Sequence, residues 1–396
     1  MNSADTIIIG GGAAGLFCAA NLKGSVIVLE RNDRVGRKLS STGNGQGNVT
    51  NYKIGKENYF SSTDDNKIAS LLYKYDNKKL IAFLGNIGCP VVFDERGRAY
   101  PSGRQASAVT DLLRYKLSTT RAAIVTNAYV SDIVKKDECF NVYVSGDSDK
   151  CIYTSKNVVL CTGGKSSKNF GSDGNGYVLA KKAGHTVTPL YPSLVQIKTD
   201  TSFIKPLKGI RTYATVSAKV DNDVIKKVTG DVIFTDYGVS GDAIFRLSAF
   251  IADKLDKNIR LELDFLPFIE VADIIQMIDV KKKIDGIPGN ELLCGIVNNQ
   301  IGRVILKRAG SFDTANVANT LKRFTLCVTG SIGFDYAQVT KGGVSLNEVS
   351  LNMESKKVEN LYFAGEILDV DGECGGYNLQ WAFSSAMAVA NAINHE

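Results

Sequence analysis

Histidine is almost absent from this chain, which has 2 in 396 residues, His185 and His395. His395 is next to last, so acid–base catalysis by imidazole has a single serious candidate, His185. Cysteine is present but unpatterned: the 8 cysteines, at positions 18, 89, 139, 151, 161, 294, 327 and 374, include no CxxC pair and no repeated spacing. That argues against a zinc site, so no metal is expected, and against a disulfide framework in so long a chain; a reducing cytoplasm fits. No stretch approaches the about 18 apolar residues that a membrane span needs. The apolar run at the N-terminus follows Asp5, lacks a basic flank and breaks at Gly10-Gly11-Gly12, so it does not read as a signal peptide. Blocks of like charge are missing as well: 47 basic and 41 acidic residues are scattered to a net charge of +6. No nucleic-acid arm is marked, and the balance suits an anionic small molecule.

What is present is a large soluble core, 44% hydrophobic and 22% charged, in a chain too long for one ordinary domain. Thr6-Ile7-Ile8-Ile9 reads as a buried parallel strand, Gly10 to Gly15 as a turn, Leu16 to Leu22 as a helix, and Val26 to Glu30 as a second strand. The order is β-α-β, with the GxGxxG spacing on Gly10, Gly12 and Gly15. The first glycine permits the tight turn, the second lets a pyrophosphate touch backbone, and the third brings helix against strand. The helix N-terminus then offers free N–H groups, and Glu30 ends the second strand where a ribose hydroxyl would meet it. This is a dinucleotide site.

The second strand continues into Arg31 to Lys38 rather than into further regular β-α units, and then into "STGNGQGNVTN", residues 41–51. Two more segments read as buried strands closed by glycine, Val158 to Gly164 and Leu361 to Gly365. The latter is followed by Glu366, Asp369, Asp371 and Gly375-Gly376-Tyr377-Asn378-Leu379-Gln380, which opens a helix from Trp381 to Ile393.

These segments resemble flavoproteins of the glutathione-reductase type. More specifically, nearly the whole chain is similar to the bacterial NAD(P)/FAD-dependent oxidoreductase family, whose members include aminoacetone-oxidase-like and bile-acid-7-dehydroxylation-reductase-like proteins. The matching segments also include Gly97-Arg98 with Tyr100-Pro101, Gly163-Gly164-Lys165, Gly184-His185, Phe234 to Gly241 and Gly342-Gly343-Val344. The resemblance implies noncovalent FAD, since a histidyl link has almost no histidine to use. It places Ala13, Ala14, Arg31, Arg37, Lys38, Val130, Thr162, Gly163, Gly164, Gly365, Glu366 and Asp369 at the cofactor. Gly375, Gly376, Asn378, Leu379 and Gln380 would bring a helix N-terminus to the flavin's pyrimidine edge, where its dipole stabilises negative charge. The family loop usually reads TGxGRCNxTN: Thr42, Gly43, Asn44, Gly45, Asn48, Thr50 and Asn51 match, while Gln46-Gly47 replaces Arg-Cys. A mechanism needing that guanidinium or thiol does not carry over.

The implied fold is α/β, a Rossmann-like FAD-binding domain of glutathione-reductase type with an inserted β-barrel-like domain and a small helical domain. Residues 1–190 and 355–396 are expected in the FAD domain, 191–266 and 326–354 in the barrel, and 267–325 in the helical part, with helices at Val271–Ile278 and Leu292–Ala309. Candidates for polarising a substrate carbonyl are Arg98, Tyr100 and Arg104, clustered in "DERGRAYPSGR", with Tyr237, Cys374 and His185 as further candidates. His185 after Gly184 equally reads as a helix-end packing residue, Cys374 as a structural thiol, and the arginines as a solvated loop. The expected activity is hydride transfer between flavin N5 and a small organic molecule, favoured as NAD(P)H-dependent reduction of an enone or steroid-like C=C. Nicotinamide binding would be transient, because Gly171, Gly174 and Gly176 have the wrong order for a second fingerprint. Alternatives are an amine-type oxidase producing peroxide, a non-enzymatic flavin-binding regulator, and a tRNA-modifying flavoprotein, although neither nucleic acid nor membrane is an expected partner. The oligomeric state is left open.

Overall fold

The structure is a computed structural model describing residues 2–145, 150–221 and 223–395, and the chain divides into two compact units. Met1–Tyr191 and Val339–Glu396 form one; Pro192–Gln338 forms the other. Among the described residues, the first unit holds a seven-stranded mixed sheet and the second a closed six-stranded barrel.

Strand β1 (Ser3–Ile9) lies at the centre of the sheet, parallel to β2 (Val26–Leu29) on one side and to the second half of Lys150–Leu160 on the other. Ile7, Ile8, Val28, Val158 and Val159 have almost no exposure, the mark of parallel strands covered on both faces. Each such side chain contributes about 1.5–3 kcal/mol on burial. Helix α1 (Ala13–Ala19) follows the first turn, and its Phe17 ring meets Phe83 and Phe383 edge-on, at 5.8 and 5.4 Å between centroids. Phe383 belongs to the long last helix, Tyr377–His395. Strand Leu361–Phe363 pairs parallel with Val158–Leu160, so the chain's far end returns beside the first strands. The strand order therefore reverses at β1, and the crevice beyond the strands' carboxyl ends is where such sheets bind ligands.

The chain re-enters this unit at Val339, earlier than the expected 355. Residues 339–354 are bonded there by their backbone: the Val344 N–H donates to Ile367 O and the Asp369 N–H to Val344 O, both at 2.9 Å. In the second unit, residues 267–325 do not build a core of their own. Ile274, Ile278, Ile301 and Val317 share one cluster with the barrel residues Val216, Phe234 and Leu261. Helices there span Val271–Lys282, Asn299–Ala309 and Thr314–Lys322. The second starts at Asn299 rather than Leu292 because the Asn298 side chain accepts the Gln300 N–H at 3.0 Å, a polar cap that outweighs the apolar run before it.

A buried polar clasp holds residues 339–358 in the first unit. His185 Nε2 lies 2.7 Å from Ser355 Oγ, its Nδ1 lies 3.4 Å from Glu348, and its ring packs edge-on against Phe363. Burial pushes the imidazole pKa below its ordinary 6.5. Burial also opposes charge on Glu348, but the Lys357 ammonium and the Thr186 N–H and hydroxyl overcome it and hold that carboxyl at about 2. The unfolded chain therefore takes up a proton at His185 more readily than the folded one, and stability falls as pH drops below 6.5. The Glu348 contribution, complete above 4.5, is lost only as pH falls from there toward about 2. The melting temperature is expected to decline between neutral pH and the onset of carboxylate titration, and less steeply in His185→Gln; parallel profiles would show that His185 does not set the slope.

Candidate functional site

Three glycines at the end of β1 serve different neighbours. A Cβ on Gly10 would lie 2.4 Å from the Cys161 carbonyl oxygen, and one on Gly15 would lie 2.0 Å from the Gly10 carbonyl oxygen. Those two are demanded by the protein's own packing. A Cβ on Gly12 would meet no heavy atom within 4 Å, although Gly12 is the residue that opens α1. No side chain caps that helix, so its first N–H groups face the open side, next to half-buried Ala13. Ala14 packs on Gly365, where an added Cβ would come within 2.8 Å. On the adjoining strand end, Thr162 Oγ1 is buried with no hydrogen-bond partner among the described residues. A cradle open at Gly12, with the helix's first N–H groups uncapped, suits a pyrophosphate.

At the end of the second strand, Glu30 is 7% exposed. Its carboxylate accepts the Gly11 N–H at 2.9 Å, the Asn32 N–H at 2.9 Å and the Asn32 amide at 2.6 Å. Arg37 donates to the same Asn32 side chain at 3.0 Å. Arg31 pairs with Asp173 at 2.6 Å and lies 4.9 Å above the Tyr129 ring. The neighbouring Val130 carbonyl accepts from Asn175 at 2.9 Å. Asn32, Asp173 and Asn175 thus hold the expected residues without having been legible themselves; only the position of Asn32, two after Glu30, was a signal.

Across the cradle, Lys38 pairs with Glu366 at 2.8 Å, and Glu366 also accepts the Thr340 N–H at 2.9 Å. Gly163 takes a left-handed φ of 71°, and a Cβ on Gly164 would sit 2.5 Å from Thr340 Oγ1. That hydroxyl accepts the Lys165 and Ser166 N–H groups at 2.8 and 3.0 Å, making Thr340 an organiser that no motif marked. Asp369 is 2% exposed, and its Oδ2 accepts the Ser62 N–H at 3.0 Å and hydroxyl at 2.6 Å. It ties down the segment around Ser62.

The glycine-rich loop turns left-handed at Gly43, Asn44, Gly45 and Gly47, with φ of 58°, 55°, 83° and 79°. Thr42 closes the preceding turn through its hydroxyl, which donates to Leu39 O at 2.7 Å. A Cβ on Gly45 would again meet open space, whereas one on Gly47 would lie 3.0 Å from Ala106 Cα. With φ of 79° as well, a side chain at position 47 would be strained and would press on Ala106. Beyond it the loop is latched to the last helix. With its amide oriented by the hydrogen-bond network, Asn48 accepts the Gly376 N–H at 3.0 Å and donates to Thr50 O at 3.0 Å. Thr50 donates to Gln380 at 2.7 Å, Asn51 to Gly375 O at 3.0 Å, and a Cβ on Gly376 would strike Thr50 O at 2.2 Å. Asn378 clasps both backbone groups of Gly372 at 2.8 Å, and Leu379 is half-buried. Fully buried Gln380 donates its amide to Tyr75 O at 2.9 Å, which makes it a latch.

Strand Arg98–Pro101 pairs with Thr50–Asn51 and so belongs to the same neighbourhood. Arg98 grips Asp94 through two nitrogens, each at 2.7 Å. Tyr100 is 5% exposed; burial raises its phenol pKa, with Arg98 and Arg104 opposing and Asp94 and Cys374 adding to the rise. The Arg104 guanidinium lies 4.3 Å from the Tyr100 ring centre. Arg98, Tyr100, Arg104 and half-buried Cys374 are therefore neighbours. His185 is not with them; its contacts are Ser355, Glu348 and Phe363. Tyr237 lies in the second unit, in a turn where its carbonyl accepts the Thr199 N–H at 3.1 Å.

The glycines separate stability from ligand binding. Gly15→Ala is expected to cost about 1–3 kcal/mol of stability in the ligand-free protein, from overpacking against Gly10 O. Gly12→Ala is expected to leave that stability nearly unchanged while weakening FAD retention, read by urea denaturation and flavin absorbance; equal destabilisation would show that Gly12 faces protein.

Residues 4–392 match the HI0933-like protein Rossmann domain. The 3-dehydro-bile acid delta(4,6)-reductase of Clostridium scindens is 32% identical over 407 aligned residues, covering 97% of this chain and 98% of that protein. The ribosomal RNA dihydrouridine synthase of Haemophilus influenzae is 30% identical over 409 residues, covering 99% of each. Among solved structures, the 3-ketosteroid-delta4-(5alpha)-dehydrogenase of Rhodococcus jostii aligns over 100% of this chain and 97% of its own at a TM-score of 0.56 and 14% identity, a likeness of fold. The cradle, the returning final helix and these matches agree: the chain belongs to the HI0933-like family, with its Rossmann-type FAD-binding fold.

Proposed function

We propose that this chain is an FAD-dependent reductase of a carbon–carbon double bond conjugated to a carbonyl, in a steroid-like or bile-acid-like enone, with NADH or NADPH as transient electron donor. The observation that carries this is the end-to-end likeness to the Clostridium scindens reductase. Bound FAD supplies hydride chemistry. Gly12 and the first turn of α1 would hold its pyrophosphate and Glu30 its ribose, with Gly43 to Asn48 and Gly376 around the ring system. Tyr100 is a phenol, protonated at neutral pH even at its ordinary pKa of 10.0 and pushed further up by burial, so it would donate a hydrogen bond to a substrate carbonyl oxygen as negative charge develops there. Arg98, committed to Asp94, holds the strand that carries Tyr100. Gly171 packs on Asn32, where a Cβ would lie 2.4 Å from the amide nitrogen, which supports its place in the FAD half rather than in a second nucleotide site.

A second reading has its own support in the Haemophilus influenzae relative. Dihydrouridine forms from uridine by reduction of a ring C=C conjugated to a carbonyl, so the bond reduced is of the same class and only the carrier differs. Binding of an rRNA fragment that competes with a steroid enone would favour it.

Anaerobic mixing of the FAD-loaded protein with NADH or NADPH is expected to bleach the flavin band rapidly, and an enone steroid to restore it. Absence of bleaching with either nucleotide would overturn the nicotinamide-fed reading and turn the search to amine donors and peroxide formation. Tyr100→Phe is expected to lower kcat about 10²-fold while leaving FAD binding intact.

A further inference from the structure

His185 takes no part in the reaction proposed above, yet its surroundings fix which ring nitrogen carries the proton. Ser355 Oγ accepts the Lys357 N–H at 3.0 Å and the Val358 N–H at 2.9 Å. A hydroxyl has two lone pairs and one proton, so with both lone pairs engaged its proton goes to His185 Nε2, 2.7 Å away. Nε2 is therefore the bare nitrogen, and Nδ1 carries the hydrogen, facing Glu348 Oε2 at 3.4 Å. A proton added at Nε2 would set an N–H against a hydroxyl with no acceptor left, and both residues are buried, His185 at 4% and Ser355 at 7% exposed.

The charges that face the ring do not relieve this. Glu348 and Lys357 pair with each other at 2.6 Å, and Glu348 also accepts the Thr186 N–H and hydroxyl. Glu354 accepts the Asn360 N–H, and Lys356 donates to Asn347 O. On the preceding helix, Asn175–Lys182, Lys182 pairs with Asp132 and Lys181 is exposed; strand Leu361–Phe363 offers the Phe363 ring.

The clasp is one residue from the floor of the cradle. Thr186 O accepts the Ser345 N–H at 3.0 Å, and the Thr188 N–H donates to Gly343 O at 2.9 Å. Val344, between those two, bridges Val187 on one side and Leu368 on the other. A Cβ on Gly343 would lie 2.6 Å from Ile367 O, so backbone touches backbone there. Residues 186–188, 343–345 and 367–369 thus lie side by side, and the last of these contains Asp369 and follows Glu366, two residues expected at the cofactor.

Resting on the FAD reading, we propose that His185 is a positioning residue that makes FAD retention sensitive to acid. The neutral ring holds the Ser355 turn and, through residues 343–345, the Glu366–Asp369 edge of the cradle; the protonated ring releases that edge and the cofactor with it. FAD and the proton then oppose each other, and each weakens the other to the same extent. One proton is taken up per FAD released, so affinity is expected to fall by up to about tenfold per pH unit below 6.5, the ring's ordinary pKa.

Two measurements test this, neither of them turnover. With 2 histidines in the chain, NMR of protein carrying isotope-labelled histidine reads His185 directly, with His395 as internal reference. It is expected to show the Nδ1–H tautomer, and a lower His185 pKa in the FAD-loaded than in the FAD-free protein. Equilibrium dialysis of FAD from about pH 8 to about pH 5, with circular dichroism at each step to confirm folding, is expected to show the loss of affinity in wild type and a flat profile in His185→Gln. An Nε2–H tautomer at neutral pH, a His185 titration indifferent to FAD, or a profile as steep in His185→Gln would each overturn the assignment. If His185→Gln does not fold, the wild-type NMR decides. Retention of FAD by wild type that is independent of pH would overturn the acid response alone, whereas failure to take up FAD even at about pH 8 would overturn the FAD reading as well.

Discussion

The contact on which the rest depends is backbone against backbone: Gly15 lies so close to the Gly10 carbonyl that a Cβ would sit 2.0 Å from it. That approach seats α1 on the end of β1 and directs its N-terminus across the sheet's carboxyl edge. Phe17 on the same helix packs against Phe383, so the last helix is placed by the first. A second close approach, Gly376 over Thr50 O, then sets the N-terminal end of the last helix against the glycine-rich loop. Two pairs of elements joined without intervening side chains give the cradle its shape, and side-chain bonds only refine it.

Charge around the cradle is mostly cancelled in place. Arg31 with Asp173, Lys38 with Glu366 and Arg98 with Asp94 each pair at 2.6–2.8 Å. Exposed or half-exposed pairs of this kind are worth about 0–1 kcal/mol each, so their main effect is positional. Two of them tie segments far apart in sequence: Lys38 and Glu366 are 328 residues apart.

Much of this was legible because backbone constraints leave local marks. Ile7 to Ile9, the GxGxxG spacing and Glu30 predict the β-α-β unit without long-range information, and the structure has that order, with the helix at Ala13–Ala19 rather than at Leu16 to Leu22, because Gly12 already opens it. What the sequence could not show are residues whose role exists only after folding. Thr340 receives the Lys165 and Ser166 N–H groups across about 175 positions, and nothing near it in the chain announces that duty. The helix expected from Leu292 failed for a related reason. Leu292 and Leu293 are buried, as their apolarity demands, but tertiary packing buries them outside a helix, and Asn298 starts the helix later. Apolar periodicity reports burial more faithfully than it reports conformation.

The departure at Gln46-Gly47 follows from the same geometry. Position 47 combines left-handed backbone with Ala106 at 3.0 Å, conditions that glycine meets without the strain a side chain would carry. The family's guanidinium at position 46 is replaced by a neutral amide, yet that amide accepts a hydrogen bond from Arg104. A cation therefore still reaches the rim of the loop, but from a neighbouring turn. A guanidinium carried by the loop would move with that segment, whereas Arg104 stands in the turn after the strand of Tyr100, with its guanidinium 4.3 Å from that ring centre.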